Sequence, residues 1–363
     1  MGKQELAAAI NVRIATENLM DQIALQFNPY RTGSDSAGRD LMSVAQLADG
    51  LGYHTFFAGE SWGMDAITVL TAVACHTSKL RVGTAILPVF SRTPALIAQS
   101  MASLDLISNG RATLGLGASG RIVIEDWHGL PFRRPLQRTE EYIQIIRQAL
   151  GGEPVNFDGS IFKLSRFRLG AAPIQSRIPI YLASLGPKNL ELTGRLADGW
   201  LPIWLHRDKI SELKEPIVRA AALAGRDLAE ITVAPQIMCY TTGSGQELAE
   251  IEGKVRAHMA YYIGGMGTYY YDLFCRSGFQ PEAEAVREAW AARERDRAAE
   301  AISQPMLDGI AVLGDADTCR QRLDAFRSAG VDMPVITFPQ GSSLPGIIRT
   351  IEALAPEPPD TAK

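Results

Sequence analysis

Three clusters of residues have types and spacing that can do chemistry. Gly115-Leu116-Gly117-Ala118-Ser119-Gly120 fits Gly-x-Gly-x-x-Gly directly after a β-prone run, a pattern whose backbone N–H groups can hold a pyrophosphate at a helix start. Three context tests oppose a dinucleotide site. Arg121 to Pro135 does not read as a helix, the motif follows the fourth strand rather than the first, and no acidic residue ends a next strand about 20 residues on. The better reading is a glycine-rich strand end with a flat ring lying against it, because glycine permits close backbone approach. Ala183-Ser184-Leu185-Gly186-Pro187 joins a strand to a helix, and its free N–H groups and helix dipole suit a phosphate or carboxylate. It also reads as an ordinary turn with proline at the first helical position. Glu60, Ser61 and Trp62 stand just past another strand. Glu60 is either a polar group of a site or the carboxylate that starts the helix at Asp65, and Trp62 can wall a pocket.

Of the histidines His54, His76, His128, His206 and His258, only His128 lies in a long loop after a strand. It reads as a functional imidazole or as an ordinary surface-loop residue. No His-x-His or His-Glu-x-x-His spacing occurs, so no metal site is expected. A serine hydrolase lacks its Gly-x-Ser-x-Gly elbow. Tyr261, Tyr262, Tyr269, Tyr270, Tyr271 and Phe274 crowd around Gly264-Gly265-Met266-Gly267, which reads as a glycine-hinged lid, a subunit contact or the packing of that segment alone.

The net charge of −4 gives no field that favours DNA, RNA or anionic lipid. The longest apolar run, Ala66 to Cys75, is about half of the ~20 residues that a spanning helix needs. Met1-Gly2-Lys3-Gln4-Glu5 leads into too short an apolar run for an export signal, and Leu6 breaks the myristoylation pattern. Cys75, Cys239, Cys275 and Cys319 form no Cys-x-x-Cys pair, so a reducing cytoplasm is expected.

The elements that must position these residues alternate. Strands are expected at Gln22 to Phe27, Thr55 to Ala58, Leu80 to Leu87, Arg111 to Gly117, Ile178 to Ala183, Gly199 to Trp204, Ile231 to Tyr240 and Val335 to Phe338. Helices are expected at Arg39 to Leu51, Asp65 to Lys79, Pro94 to Ser108, Leu136 to Leu150, Pro187 to Leu196, Lys209 to Ala224 and Leu344 to Leu354. Strict alternation implies a parallel α/β sheet, and eight strands favour closure into a (βα)8 barrel. Loops after strands then line the active face, and the long ones are Asn28 to Gly38, Gly120 to Pro135 and the segment between strands seven and eight. One domain is expected over 21–355 with a helical insertion at 242–330, flanked by appendages at 1–20 and 356–363. Phe157-Asp158-Gly159-Ser160 reads as a hairpin turn on the opposite face.

At this point the chain resembles the luciferase-like oxidoreductase superfamily, and within it the branch that uses the deazaflavin coenzyme F420. The resemblance is carried by Phe57-Ala58-Gly59-Glu60-Ser61-Trp62-Gly63, Arg92-Thr93-Pro94, Leu104 to Arg111, Leu114-Gly115-Leu116-Gly117, Trp127-His128-Gly129, Pro135-Leu136-Gln137-Arg138, Leu185-Gly186-Pro187-Lys188-Asn189 and Ala197-Asp198-Gly199-Trp200. It covers about Gln22 to Ala355 and implies a barrel with an insertion after strand seven, a homodimer and a small-molecule substrate. It further implies a backbone bulge with a cis non-proline peptide near Thr84-Ala85-Ile86, against which the cofactor ring would lie. The cofactor phosphates would sit at the loops Gly117-Ala118-Ser119-Gly120 and Ala183-Ser184-Leu185-Gly186. Several members carry an Asp-His pair where Glu60 and Ser61 stand, so that histidine is missing. Some sugar-phosphate-oxidising members carry glutamate where Gly120 falls, so that substrate class is unsupported. Glu60 is the first candidate for proton transfer and His128 the second. The rival expectations are an FMN-dependent monooxygenase and a non-catalytic cofactor-binding barrel on the same fold.

Overall fold

The computed structural model describes residues 22–28 and 37–356. The expected appendage at 1–20, most of the first long loop and the tail beyond residue 356 lie outside the described residues. The chain forms an α/β fold around a curled, parallel sheet. Its strands are β1 (Ala24–Gln26), β2 (Thr55–Ala58), β3 (Arg81–Thr84), β4 (Leu87–Pro88), β5 (Ala112–Gly117), β8 (Ile180–Leu182), β9 (Gly199–Trp200), β10 (Thr232–Val233), β11 (Gln236–Thr241), β12 (Ala311–Gly314) and β13 (Val335–Thr337). They follow the order β10-β9-β8-β5-β3-β2-β1-β13-β11-β12, with β4 beside β5. The remaining two, β6 (Val155–Asp158) and β7 (Lys163–Phe167), form a separate antiparallel hairpin.

Helices α1 (Ala37–Gly50), α2 (Ala66–His76), α3 (Pro94–Ile107), α4 (Pro135–Leu150), α5 (Pro187–Leu196), α6 (Ile210–Leu223) and the final α13 (Leu344–Ala353) fall within a few residues of expectation. Their starts are chemically marked: Asp65 and Thr93 accept the N–H groups of Thr68 and Leu96, and Pro94, Pro135 and Pro187 stand in first turns.

Alternate residues of each strand serve two cores. Outward Leu25, Phe56, Val82, Leu114, Ile180 and Leu182 pack beneath the helices, while Ala24, Phe57, Ala85, Tyr181, Leu201, Ala234, Met333 and Val335 form a second cluster within the curl. Phe57 and Tyr181 fill that interior because Gly83 and Gly199 have no side chain, and a Cβ on either would lie 2.5 Å from the ring.

Three local expectations are corrected. Arg121 to Trp127 does open a short helix, its last five residues a π-helical turn, in which Gly120 carbonyl accepts from both Val123 and Ile124. The segment between β11 and β13 is not wholly helical. After α7 (Gly245–Gly265), α8 (Tyr269–Arg276), α9 (Gln280–Ala291), α10 (Arg295–Glu300) and α11 (Gln304–Asp308), the apolar run Ala311–Gly314 adds β12 along β11, and α12 (Ala316–Ser328) follows. The hairpin leaves α4 as expected, yet its turn folds back along that helix: Glu141 accepts the N–H groups of Ser160, Ile161 and Phe162.

Candidate active site

The carboxyl ends of the strands carry the candidate residues, and the site is built around a break between β3 and β4. Up to Gly83 the strand pairs with β5 in register, and the pairing resumes at Leu87. Between them Thr84 replaces the ladder with its side chain: its hydroxyl donates to the Gly115 carbonyl and accepts from the Gly115 N–H, both at 2.8 Å. The Ala85–Ile86 peptide is cis, where the family resemblance puts it. Ala85 N–H donates to Ala58 carbonyl at 2.8 Å, and Ile86 carbonyl accepts from Glu60 N–H at 3.2 Å, so β2 anchors the bulge. Two glycines make room. A Cβ on Gly59 would stand 2.7 Å from the Ala85 carbonyl oxygen, and one on Gly115 would stand 2.0 Å from that of Thr84. Ile86 covers Gly117. Thr84 is fully buried with its hydroxyl engaged, so it shapes the bulge and is not itself exposed to a ligand.

Glu60 begins the next loop and is held by several partners. Arg92 bridges it to Asp65, Ala66 N–H donates to Oε2 at 3.3 Å and Ser91 hydroxyl to Oε1 at 3.4 Å. The helix-starting reading of Glu60 is therefore seen, alongside an ion pair that spacing does not reveal. Burial alone would lower the Arg92 guanidinium, but Glu60 and Asp65 outweigh it and raise it. Burial pushes the Asp65 carboxyl up, and the hydrogen bonds from Thr68 with the Arg92 charge bring it below the usual range. Ser61 beside it is half-buried, and Trp62 stands half exposed at the rim. His128 closes the short helix, its N–H donating to Val123 carbonyl, and its Nε2 is buried without a partner among the described residues.

The two glycine-containing loops come together because β5 and β8 pair at Leu116 and Leu182. In the first, Ser119 takes φ 62°, and the N–H groups of Ala118, Ser119 and Gly120 meet no protein acceptor among the described residues. Successive free N–H groups around a left-handed residue form an anion-binding concavity. In the second, Ala183 N–H bonds Leu116 carbonyl, but those of Ser184, Leu185 and Gly186 meet no protein acceptor among the described residues. Ser184 turns its hydroxyl inward to Thr193 at 2.7 Å, and its carbonyl accepts from Trp200 Nε1 at 2.8 Å. The serine side chain is thus removed from the ligand role, and the residue is fully buried, whereas Leu185 and Gly186 beside it are partly exposed.

Helices α7 and α8 lie over both loops. Met266 Cε would be 2.7 Å from a Cβ on Gly120, and Arg276 donates to Leu185 carbonyl at 2.8 Å, bringing a cation to the amide-rich loops. Tyr262 and Tyr270 meet edge to face at 4.6 Å and Tyr261 contacts Tyr262 and Trp290, whereas Tyr269 is exposed. Gly264 and Gly265 lie inside α7 against Trp290, so they permit close packing instead of forming a hinge.

Sequence reasoning missed several residues at this end of the sheet. Gln26 ends β1 with a buried Oε1 that has no partner among the described residues, and Asn28 donates to Gly59 carbonyl at 3.3 Å. A polar pair closing an apolar strand was the available signal. Arg276 carried none, its partner being 91 residues away, and Arg92 stood only inside a motif of the family resemblance, with partners 27 and 32 residues away.

Residues 22–333 match the luciferase-like monooxygenase family. A Mycobacterium tuberculosis protein named as a coenzyme F420-dependent oxidoreductase is 34% identical over 314 residues, covering 81% of this chain and 89% of its own. The 5,10-methylenetetrahydromethanopterin reductase of Methanolobus tindarius is 29% identical over 310 residues, with 85% and 92% covered. The solved coenzyme F420-dependent tetrahydromethanopterin reductase of Methanopyrus kandleri superposes with a TM-score of 0.78 at 25% identity, covering 91% of this chain and 96% of that one. With the bulge and the paired loops in place, these matches settle the ancestry: the chain belongs to the luciferase-like monooxygenase family of oxidoreductases.

Proposed function

We propose that the chain is a coenzyme F420-dependent oxidoreductase acting on a small organic substrate, an activated alkene, an imine or an alcohol/carbonyl pair. The observation that carries this reading is the bulge between β3 and β4, where the Thr84 hydroxyl replaces the ladder, beside two adjoining loops whose N–H groups meet no protein acceptor among the described residues. That arrangement suits a flat ring with a phosphate tail, and the names of the relatives favour the deazaflavin. The ring would rest on Ala85 and Ile86, and the phosphate would take the N–H groups of residues 118–120 and 184–186 with Arg276 nearby. Bound coenzyme F420 supplies two-electron hydride chemistry. Arg92 fixes Glu60 at the rim, where its carboxylate can polarise a bound ring, and His128 Nε2 is free to hold a proton. Trp62 would wall the opening, with Ser61 beside it.

We read the sheet as a closed eight-stranded barrel in which β10 and β11 act as halves of one strand around Pro235. That reading is supported by the bonds from Gln236 N–H to Pro202 carbonyl and from Val335 N–H to Pro235 carbonyl. The remaining expectations are a homodimer and a reducing cytoplasm. In support of the latter, the four cysteines are free and no described helix is long and apolar enough to cross a membrane. The test is titration of the purified protein with oxidised coenzyme F420 and, separately, FMN, followed by tryptophan quenching. Selective micromolar binding of the deazaflavin is expected. Selective FMN binding would overturn the reading and turn attention to oxygen consumption with reduced flavin.

A further inference from the structure

Two polar atoms that are buried without a partner among the described residues belong to rings packed against each other where the sheet joins the helices above it. Trp204, four residues after Trp200, is 1% exposed and takes φ 64°, a left-handed conformation that a bulky residue rarely holds and that clusters at functional positions. The two indoles differ in one respect: Trp200 Nε1 donates to Ser184 carbonyl, whereas Trp204 Nε1 is buried with no acceptor. Against it, at 5.3 Å between ring centroids and 85° between planes, lies His258 of α7, whose Nδ1 is also buried without a partner. Tyr262 closes the triangle at 5.4 Å from Trp204 and 5.1 Å from His258. Burial lowers the His258 pKa to about 4, so the imidazole is neutral at pH 7 and can accept or donate through Nδ1 according to its tautomer.

A buried donor left unmade costs free energy, and folded proteins tolerate few such groups. Here a donor and a switchable donor–acceptor share one aromatic cluster with Tyr262, and burial is the influence that shifts His258. An ion entering it would lose its hydration without a counter-charge, and a purely apolar group would leave both atoms unsatisfied. A neutral oxygen answers both.

We propose that Trp204 and His258 form the recognition pair for a neutral hydroxyl or carbonyl oxygen of the substrate. This rests on the proposed oxidoreductase function and adds to it that the substrate lies between the cofactor ring and α7. Trp204 Nε1–H donates to that oxygen, and His258 Nδ1 accepts from a hydroxyl or, in its other tautomer, donates to a carbonyl.

The test uses the full-length protein with ¹⁵N-labelled indoles, titrated with cyclohexanol and with cyclohexene, which has the ring without the oxygen. The peak absent from Trp204→Phe is the reporter; should that variant not fold, phenylalanine variants of the other four tryptophans assign it by elimination. Cyclohexanol should move the reporter downfield with saturation, and cyclohexene should not. Affinity should fall about three- to tenfold in His258→Leu, the loss of one hydrogen bond, and recover to within about twofold in His258→Asn, which keeps an oxygen near Nδ1. A reporter that stays still, or moves equally with both ligands, overturns the pair, as would an indole already bonded to a fixed water. Coenzyme F420 binding is measured on the same sample. A responsive indole without F420 binding refutes the cofactor reading and leaves the pair standing, and F420 binding with a silent indole refutes the pair alone.

Discussion

Gly115→Ala places the sharpest demand on the bulge. The new Cβ would lie 2.0 Å from the Thr84 carbonyl oxygen and 3.0 Å from Leu201 Cδ2, inside the ordinary contact distance of about 3.5 Å. The closer neighbour is backbone, so no rotamer change relieves it. Either β3 or β5 must move, and the two hydrogen bonds between Thr84 hydroxyl and Gly115 are the first to stretch. Losing them costs about 1–3 kcal/mol at 0.5–1.5 each. Overpacking a well-filled interior adds about 1–3 kcal/mol, for a total of about 2–5 kcal/mol, allowing for some relaxation. Urea unfolding followed by far-ultraviolet circular dichroism measures it, with the midpoint falling at an unchanged slope. Gly253→Ala is the control, because it lies within α7 with nothing within 4 Å of the new Cβ, and helix propensity predicts a gain of up to about 1 kcal/mol. If Gly115→Ala unfolds at the wild-type midpoint, the steric account of the bulge is wrong.

Replacing Glu60 by Gln should leave coenzyme F420 affinity within about tenfold while turnover falls about 100-fold, and equal turnover would remove Glu60 from the chemistry. His54 and His258 are both lowered by burial to about 4, Arg81 assisting at His54, so the unfolded chain binds more protons than the folded one between pH 6.5 and about 4. Their contribution to stability is complete above pH 6.5 and declines as pH falls through that window, by up to about 3 kcal/mol for each histidine. Urea midpoints across pH 7.5 to 4.5 should show this, and a slope identical in His54→Asn would contradict it. Arg276→Ala should weaken coenzyme F420 binding about tenfold at low salt and by less at high salt, because screening shortens the reach of the lost charge; a salt-independent change would point instead to a disturbed fold.

The alternation of elements was legible because each strand is a short apolar run and each helix has a marked start, as at Asp65, Thr93 and Pro187. The site was legible in kind and less so in detail. Glycine at 115 and 117 was read as permitting close approach, and it does, but the groups that approach are this chain's own Thr84 carbonyl and Ile86 side chain. Leu80 to Leu87 reads as one strand because a cis peptide leaves no trace in hydrophobic pattern. Ser184 has the right type and place for an anion contact, but its rotamer is decided by Thr193, nine residues on. The Glu60–Arg92 pair and the Trp204–His258 contact depend on which elements become neighbours, and periodicity carries no such information. β12 was missed because a four-residue apolar run amid helices gives too little signal to separate strand from buried helix.

Met266 and Arg276 tie one cover to the two adjoining loops, so cover and loops are a single mechanical unit. An anion held in the proposed seats would therefore tighten the cover, and a mutation that loosens the cover would weaken the proposed anion binding. On that reading, specificity changes sought along residues 258–276 would alter grip and selectivity together, and only compensating changes in the loops at 118–120 and 184–186 would separate the two.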